Sequence, residues 1–307
     1  HIKAGFSYSV FGNQNLNDYE RSEVPFEYRS VPPYDLENNL EQFVFSSEFS
    51  SAKWNFAANA GRTNFWDKDY LSNFGETIAD AKRLNWGAGV LRQFEIPQKA
   101  FLPILRINTS LRYDNSVTKN FETSRSDDAW SPHVSIAASK KMVVNWQASA
   151  EWGKAFRLPT FADLFYQQYQ VQGNANLLPE KSTNRQASLS ARWNGRFETL
   201  ARFSTFGNDI ENLIIWEMGS FSTFRPKNTN ARLSGYELEF STETPLQFVQ
   251  LSIFHTHLNT ENLSGERTTH GKEIPYRPAQ TTKAGLDVNF DKYSCSYYSR
   301  RIGERYV

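Results

Sequence analysis

From Leu105 to Asp114, apolar and polar side chains alternate almost without a break. Leu105, Ile107, Thr109, Leu111 and Tyr113 fall on one side, and Arg106, Asn108, Ser110, Arg112 and Asp114 on the other. Successive side chains of a strand point to opposite faces, so such a run specifies a β-strand with two chemically different faces. The pattern recurs along the chain. Val144, Trp146, Ala148, Ala150 and Trp152 oppose Asn145, Gln147, Ser149 and Glu151, and Ala187, Leu189, Ala191 and Trp193 oppose Gln186, Ser188, Ser190 and Arg192. About 13 segments fit this template, with cores at 2–11, 39–49, 53–65, 83–95, 103–113, 132–140, 143–155, 183–193, 197–216, 229–241, 246–258, 281–290 and 293–302. No segment reads as an amphipathic helix.

The connections alternate in length. Short ones fall at Ser50–Ala52, Pro97–Ala100, Lys140–Met142, Asn194–Arg196, Thr242–Pro245 and Asp291–Lys292; long ones fall at 12–38, 67–82, 114–130, 156–182, 217–228 and 259–280. Such alternation puts every long connection at one end of an antiparallel up-and-down sheet. Short turns on one side and long loops on the other are the pattern of an outer-membrane β-barrel. The expected fold class is therefore all-β, a transmembrane barrel. Its strands of about 10 residues are long enough to cross a bilayer when tilted. Trp54, Phe65, Trp66, Trp86, Trp152, Trp193 and Trp216 lie near strand ends, where aromatic girdles sit.

Composition agrees. Aromatic residues make up 15% of the 307 residues, yet mean hydropathy is −0.61, as expected when a thin apolar layer faces lipid and polar side chains face a lumen. A net charge of +1 gives no nucleic-acid footprint. The sole cysteine, Cys295, excludes an intrachain disulfide and shares a phase with Tyr293 and Tyr297, expected on the lipid face. No phosphate loop, Ser-His-Asp array or paired-carboxylate signature stands out, so the chain is not expected to be an enzyme, and no cofactor or resident metal is implied. His255 and His257 share one strand face, a spacing that can serve a metal; their phase continues Val249, Leu251 and Ile253 and favours a membrane-interface girdle instead.

The stretch Gly153–Ser182 interrupts this regularity. It begins Gly153-Lys154-Ala155-Phe156-Arg157-Leu158-Pro159-Thr160 and ends Gly173-Asn174-Ala175-Asn176-Leu177-Leu178-Pro179-Glu180-Lys181-Ser182. Further marks follow in order: Asn208-Asp209-Ile210-Glu211-Asn212-Leu213-Ile214, then Asn228 through Gly235, Tyr236 and Glu237, then Pro275-Tyr276-Arg277-Pro278. Ser131-Pro132 precedes them. This ordered set resembles the mid-barrel signature of TonB-dependent outer-membrane receptors, and is far more specific than one short motif. The resemblance implies a portion of one 22-stranded receptor barrel in a Gram-negative outer membrane. It also implies that the plug domain, the TonB-binding segment, about six earlier strands and about three later ones lie outside 1–307. The piece is expected to be a curved open sheet rather than a closed barrel.

Physically, Pro159 is expected at a strand exit because it cannot donate to a ladder, Gly173-Asn174 is expected in a turn that uses positive φ, and Pro179-Glu180 starts a descent. The motif residues Gly153, Phe156, Arg157, Pro159, Thr160, Gly173, Asn174, Leu177, Pro179, Glu180, Asn208, Asp209, Asn228, Gly235, Glu237, Pro275, Arg277 and Pro278 are expected to shape and brace the outer rim. Arg106, Arg112, Glu151, Arg185, Arg192, Arg202, Glu237, Glu239, Lys283 and Asp287 are expected to face the lumen. Loop residues are the ligand candidates, because specificity sits on loops carried by a rigid scaffold: Tyr166, Tyr169, Trp216, Phe221, Phe224 and Arg225.

The resemblance implies an energised importer of a metal chelate, a ferric siderophore first and haem or cobalamin next. Its partners would be outer-membrane lipid, the TonB complex and the small chelate. The competing readings are a passive porin, against which the Gly-Asn-to-Ser182 run speaks, and a surface receptor or adhesin whose loops bind a macromolecule.

Overall fold

The computed structural model describes residues 2–17, 34–51, 53–69, 77–97, 103–120, 123–168, 171–195, 197–219, 223–244 and 248–306. Its strands are β1 (Ile2–Asn17), β2 (Tyr34–Ser50), β3 (Trp54–Asp69), β4 (Thr77–Ile96), β5 (Ile104–Asn120), β6 (Ser124–Lys140), β7 (Val144–Arg157), β8 (Gln167–Gln168), β9 (Val171–Gln172), β10 (Glu180–Asn194), β11 (Glu198–Met218), β12 (Phe224–Glu243), β13 (Val249–Asn262), β14 (Gln280–Phe290) and β15 (Tyr293–Ile302). One helix, α1 (Phe161–Phe165), lies between β7 and β8. Apart from the two-residue β8 and β9, the strands pair antiparallel in chain order from β1 to β15. The up-and-down sheet expected from the sequence is present.

Register sorts the side chains into the two expected faces. Ala148, Leu189, Phe203, Leu238 and His255 form a continuous cross-strand row on one face. Gln147, Ser190, Arg202, Glu239, Phe254 and Lys283 form a row on the other. Ion pairs tie charges together on the polar face: Arg106–Glu95 at 2.8 Å, Arg112–Asp114 at 2.6 Å, Arg192–Glu198 at 2.5 Å and Arg202–Glu239 at 2.8 Å. Asp287 accepts from Ser296 and Tyr298 on this face. His255 and His257 fall on the apolar face with Tyr236, their rings 6.1 and 5.2 Å from its centroid. Cys295 pairs with Val288 on that same face and is exposed.

Arg185 departs from the expectation. It pairs with Trp152 and Gly207, in phase with Ala187 and Leu189, so it lies on the apolar face. There it reaches Asp209 at 3.3 Å, and Asp209 also accepts from Arg232 at 2.8 Å. Arg185 stands level with Trp152, and Asp209 and Arg232 stand beyond it, at the edge of the apolar band, where charge on the outer phase costs little.

The long connections are shorter than the alternation predicts. The chain between consecutive long strands is 121–123 rather than 114–130, 219–223 rather than 217–228, and 158–179 rather than 156–182. The strands continue past the bilayer, where water meets both faces and alternation stops marking them. β11 has 21 residues, against the ~9–11 needed to cross a membrane. Pro132 lies inside β6, one residue before the ladder with β7 begins at His133, so its missing N–H costs no bond there.

The sheet curls strongly. Phe161 stacks on Phe65 of β3 at 5.3 Å, while Asp163, two residues on, accepts a hydrogen bond from Trp216 of β11 at 3.0 Å. β3 and β11 are six ladder steps apart, roughly 29 Å if the sheet lay flat at ~4.8 Å per step. Two helical residues advance only about 3 Å, so curvature must bring those strands together. β1 pairs only with β2 and β15 only with β14 among the described residues, so the sheet is open at both ends.

Candidate ligand-binding mouth

Residues 158–168 and 171–179 fold back over the polar face at the long-loop end. The polypeptide leaves β7 at Arg157, and Pro159 follows directly, as expected at a strand exit. Thr160 then caps α1: its hydroxyl accepts from Asp163 N at 3.0 Å, and Asp163 accepts from Thr160 N at 2.9 Å. This capping box is what starts a helix that shows no helical periodicity. A five-residue helix has no stability of its own, so packing must hold it. Phe161 packs with Phe65 and Ala81, and Leu164 with Leu177 and Ile214; Phe165 borders both clusters.

Polar groups fix the same segment from both sides. Arg83 on β4 donates to Pro159 O at 2.8 Å and to Thr118 at 2.9 Å, and its guanidinium lies 4.7 Å from the Phe161 centroid. Arg125 on β6 donates to Leu177 O. Arg157 forks onto Glu180, with Nε to Oε2 at 2.7 Å, and Glu180 also accepts from Ile214 N at 2.8 Å. Asp163 is 7% exposed, and Trp216 answers its second carboxylate oxygen.

Gly173 is needed for space, not for positive φ. Among the described residues Gly271 is the glycine with positive φ. A Cβ on Gly173 would come within 2.7 Å of the Leu164 carbonyl carbon and the Phe165 nitrogen, so the chain returns too close to α1 for any side chain. Asn174 then donates to Pro226 O at 3.1 Å, and its backbone N–H donates to Asp163 O at 2.8 Å. Leu177 is 1% exposed. Pro179 leads directly into β10 at Glu180.

The other motifs meet the same structure. Asn212 has φ 58° and sits in a β-bulge between Ile210 and Leu213. Asparagine tolerates this left-handed conformation. Asn230 and Asn228 hold the bulge: Asn230 Oδ1 accepts from Asn212 N at 3.0 Å, and Asn228 Nδ2 donates to Asn212 O at 2.8 Å. Asn228 also accepts from Leu178 N at 2.7 Å, joining bulge to excursion. Asn208 stays on the polar face opposite Leu233 and Asn184. A Cβ on Gly153 would meet the His133 ring at 2.9 Å, and one on Gly235 would meet His257 O at 2.0 Å. Phe156 pairs with Lys181, and Glu237 borders a polar-face cleft of about 460 Å³ with His133, Glu151 and Asn208. Pro275 and Arg277 flank Tyr276, whose N–H donates to Tyr306 O, and Pro278 bridges to Arg305.

Beyond the bulge, the β11–β12 hairpin carries three charged groups, Glu217, Arg225 and Lys227. Lys227 pairs with Glu217 at 2.7 Å and with Glu266, from the 263–279 connection, at 3.1 Å. This part of the hairpin stands well past the Tyr236 level. Partial burial works against the Lys227 ammonium, but its hydrogen bonds to Glu217 and Glu266 outweigh that and raise its pKa.

Of the ligand candidates, Trp216 and Phe224 stack at 5.6 Å, and Arg225 donates to Gln172 at the edge of the excursion. Tyr166 closes α1, its N–H donating to Ala162 O. Trp216, Phe224 and Arg225 thus meet the edge of the excursion, and the Tyr166 carbonyl accepts from Gly173 N beside it. Tyr169 and Phe221 lie outside the described residues. Sequence reasoning missed Asp163, which joins helix, rim and hairpin; Thr160 three residues before an acidic residue was its one legible sign.

A curled, up-and-down transmembrane sheet, apolar outside and polar inside, with an inward-folded segment bracing its outer mouth, defines an outer-membrane barrel of the receptor type. The TonB dependent receptor-like β-barrel family model matches residues 1–307, and the chain belongs to that family. A vitamin B12 transporter, BtuB, of Vibrio vulnificus is 23% identical over 300 residues, 95% of this chain and 42% of the relative. BtuB of Photobacterium profundum is 25% identical over 214 residues, 68% of this chain and 32% of the relative. The chain thus spans less than half the length of these curated relatives. Among solved structures, the copper transporter OprC superposes with TM-score 0.77 at 17% identity, over 98% of this chain and 49% of that one. FpvA of P. aeruginosa bound to ferric pyoverdine gives 0.69 at 13% identity, over 98% and 43%.

Proposed function

We propose that the protein containing this chain imports a metal chelate across the outer membrane, with energy from the TonB complex. Family membership carries this reading, and the braced aromatic mouth supports it. A ferric siderophore is the leading ligand class. Cobalamin is the second, favoured by the two vitamin B12 transporters among the curated relatives. In this reading the outer loops take the chelate, and the TonB complex acts through a region outside 1–307. Trp216, Phe224, Tyr166, Tyr169 and Phe221 offer flat apolar contact, and Arg225 offers charge-assisted hydrogen bonds to an anionic chelate. The protein does not chemically alter its cargo.

The test is uptake of radiolabelled ferric siderophores and of cobalamin by cells carrying the full-length protein as their sole such receptor. One chelate class should enter at limiting concentration, and entry should stop when TonB is deleted. F224A with R225A should weaken binding about tenfold, ~1.4 kcal/mol. Uptake that persists without TonB would instead mark a passive pore.

A further inference from the structure

At the short-turn end of the sheet, one cation on the apolar face has no carboxylate partner among the described residues. Arg92 of β4 pairs in register with Trp54, the first residue of β3, and with Thr109 of β5. Its guanidinium lies 4.1 Å from the Trp54 ring centroid and 4.8 Å from that of Phe94. Its Nε is buried with no hydrogen-bond partner. The acid nearest in sequence, Glu95, lies on the polar face and is bound to Arg106. By contrast, Arg185 and Arg232, cations of the same phase at the long-loop end, share Asp209.

Position along the strand explains how an unpaired cation is tolerated here. Lys82 is the preceding cation of this phase on β4, ten residues earlier, with Leu84, Trp86, Ala88 and Val90 between them. Ten residues at ~3.3 Å each, tilted about 40°, span roughly 25 Å, the height of the apolar band of an outer-membrane barrel. Lys82 and Arg92 therefore bracket the hydrocarbon, with Arg92 at the periplasmic interface. Stacking on two rings holds the guanidinium flat and leaves its in-plane donors as the groups that seek an acceptor. Beside it runs an open, largely apolar cleft of about 350 Å³ lined by Trp54, Val90, Phe94, Thr109 and Leu111. A phosphate with an attached acyl chain matches both halves.

We propose that Arg92 and this cleft hold one glycerophospholipid of the periplasmic leaflet, its phosphate on the guanidinium and an acyl chain along Val90 and Leu111. Native mass spectrometry of the full-length receptor in detergent tests this, with dioleoyl phosphatidylglycerol as probe and dioleoylglycerol as its phosphate-free counterpart. The wild type should retain one more phosphatidylglycerol than R92Q at equal collision energy. R92K should hold it at intermediate occupancy, and K82Q, which alters the apolar-phase cation at the other edge of the band, should match wild type. Equal retention by R92Q and wild type would overturn the site. So would equal retention of dioleoylglycerol, which would reduce Arg92 to a ring-stacking brace, or loss of the lipid to millimolar inorganic phosphate. If R92Q does not fold, R92K and the wild-type comparison of the two lipids still decide.

Discussion

Asp163 and Gly173 show how single residues hold the outer mouth. Asp163 caps α1 and takes the indole N–H of Trp216, so one buried carboxylate ties helix to hairpin. Gly173 lets the returning chain lie against α1. Substituting G173A adds one methyl where no flexible side chain can yield, since the nearest atoms are backbone. The expected result is displacement of 158–179, read as loss of amide exchange protection at Leu164, Tyr166 and Gly173 while the β7–β10 ladder stays protected. Unchanged protection would contradict the close approach. The Gly-Asn pair was visible in the sequence, but its reason was not: local turn chemistry predicts positive φ, whereas a contact between segments nine residues apart sets the actual need. Arg185 was misplaced for a related reason. Alternation assigns faces by contrast with lipid, and from the Trp152 level outward that contrast fades.

Among elements, the long strands were legible from period two alone, and their count and order follow from it. Their outer ends were not. Ser124, Arg125, Ser126, Asp127 and Asp128 are polar on both phases yet remain strand. The helix was invisible to periodicity because a single turn has no repeat to detect. The β11–β12 hairpin depends on the Asn212 bulge, which places Ile214 against Leu164 and Leu177, and Leu213 against Ala231 and Ile274. Asn212→Gly should be tolerated. Asn212→Val should cost about 1–2 kcal/mol, because a β-branched residue resists left-handed geometry. Hydrogen exchange of the 213–229 amides should show that difference; equal protection in the two variants would mean the bulge is not held by its backbone conformation.

At the scale of the molecule, the two faces and the position of the mouth rest on one assignment: the apolar phase meets lipid and the polar phase meets the lumen. The ordered motifs contribute the family, and the long-range bonds from Arg83, Arg125, Trp216 and Asn228 to the excursion contribute the curl that sequence alone could not give. The most direct test is single-cysteine labelling of the full-length protein in outer membranes, after Cys295→Ala removes the native thiol. A small, membrane-impermeant, water-soluble maleimide is applied to L111C, which lies opposite Val90 inside the apolar band, and to R112C, A148C and Q147C. Labelling is expected at 112 and 147, with protection at 111 and 148. Labelling at 111 and 148 with protection at 112 and 147 would contradict the assignment of faces.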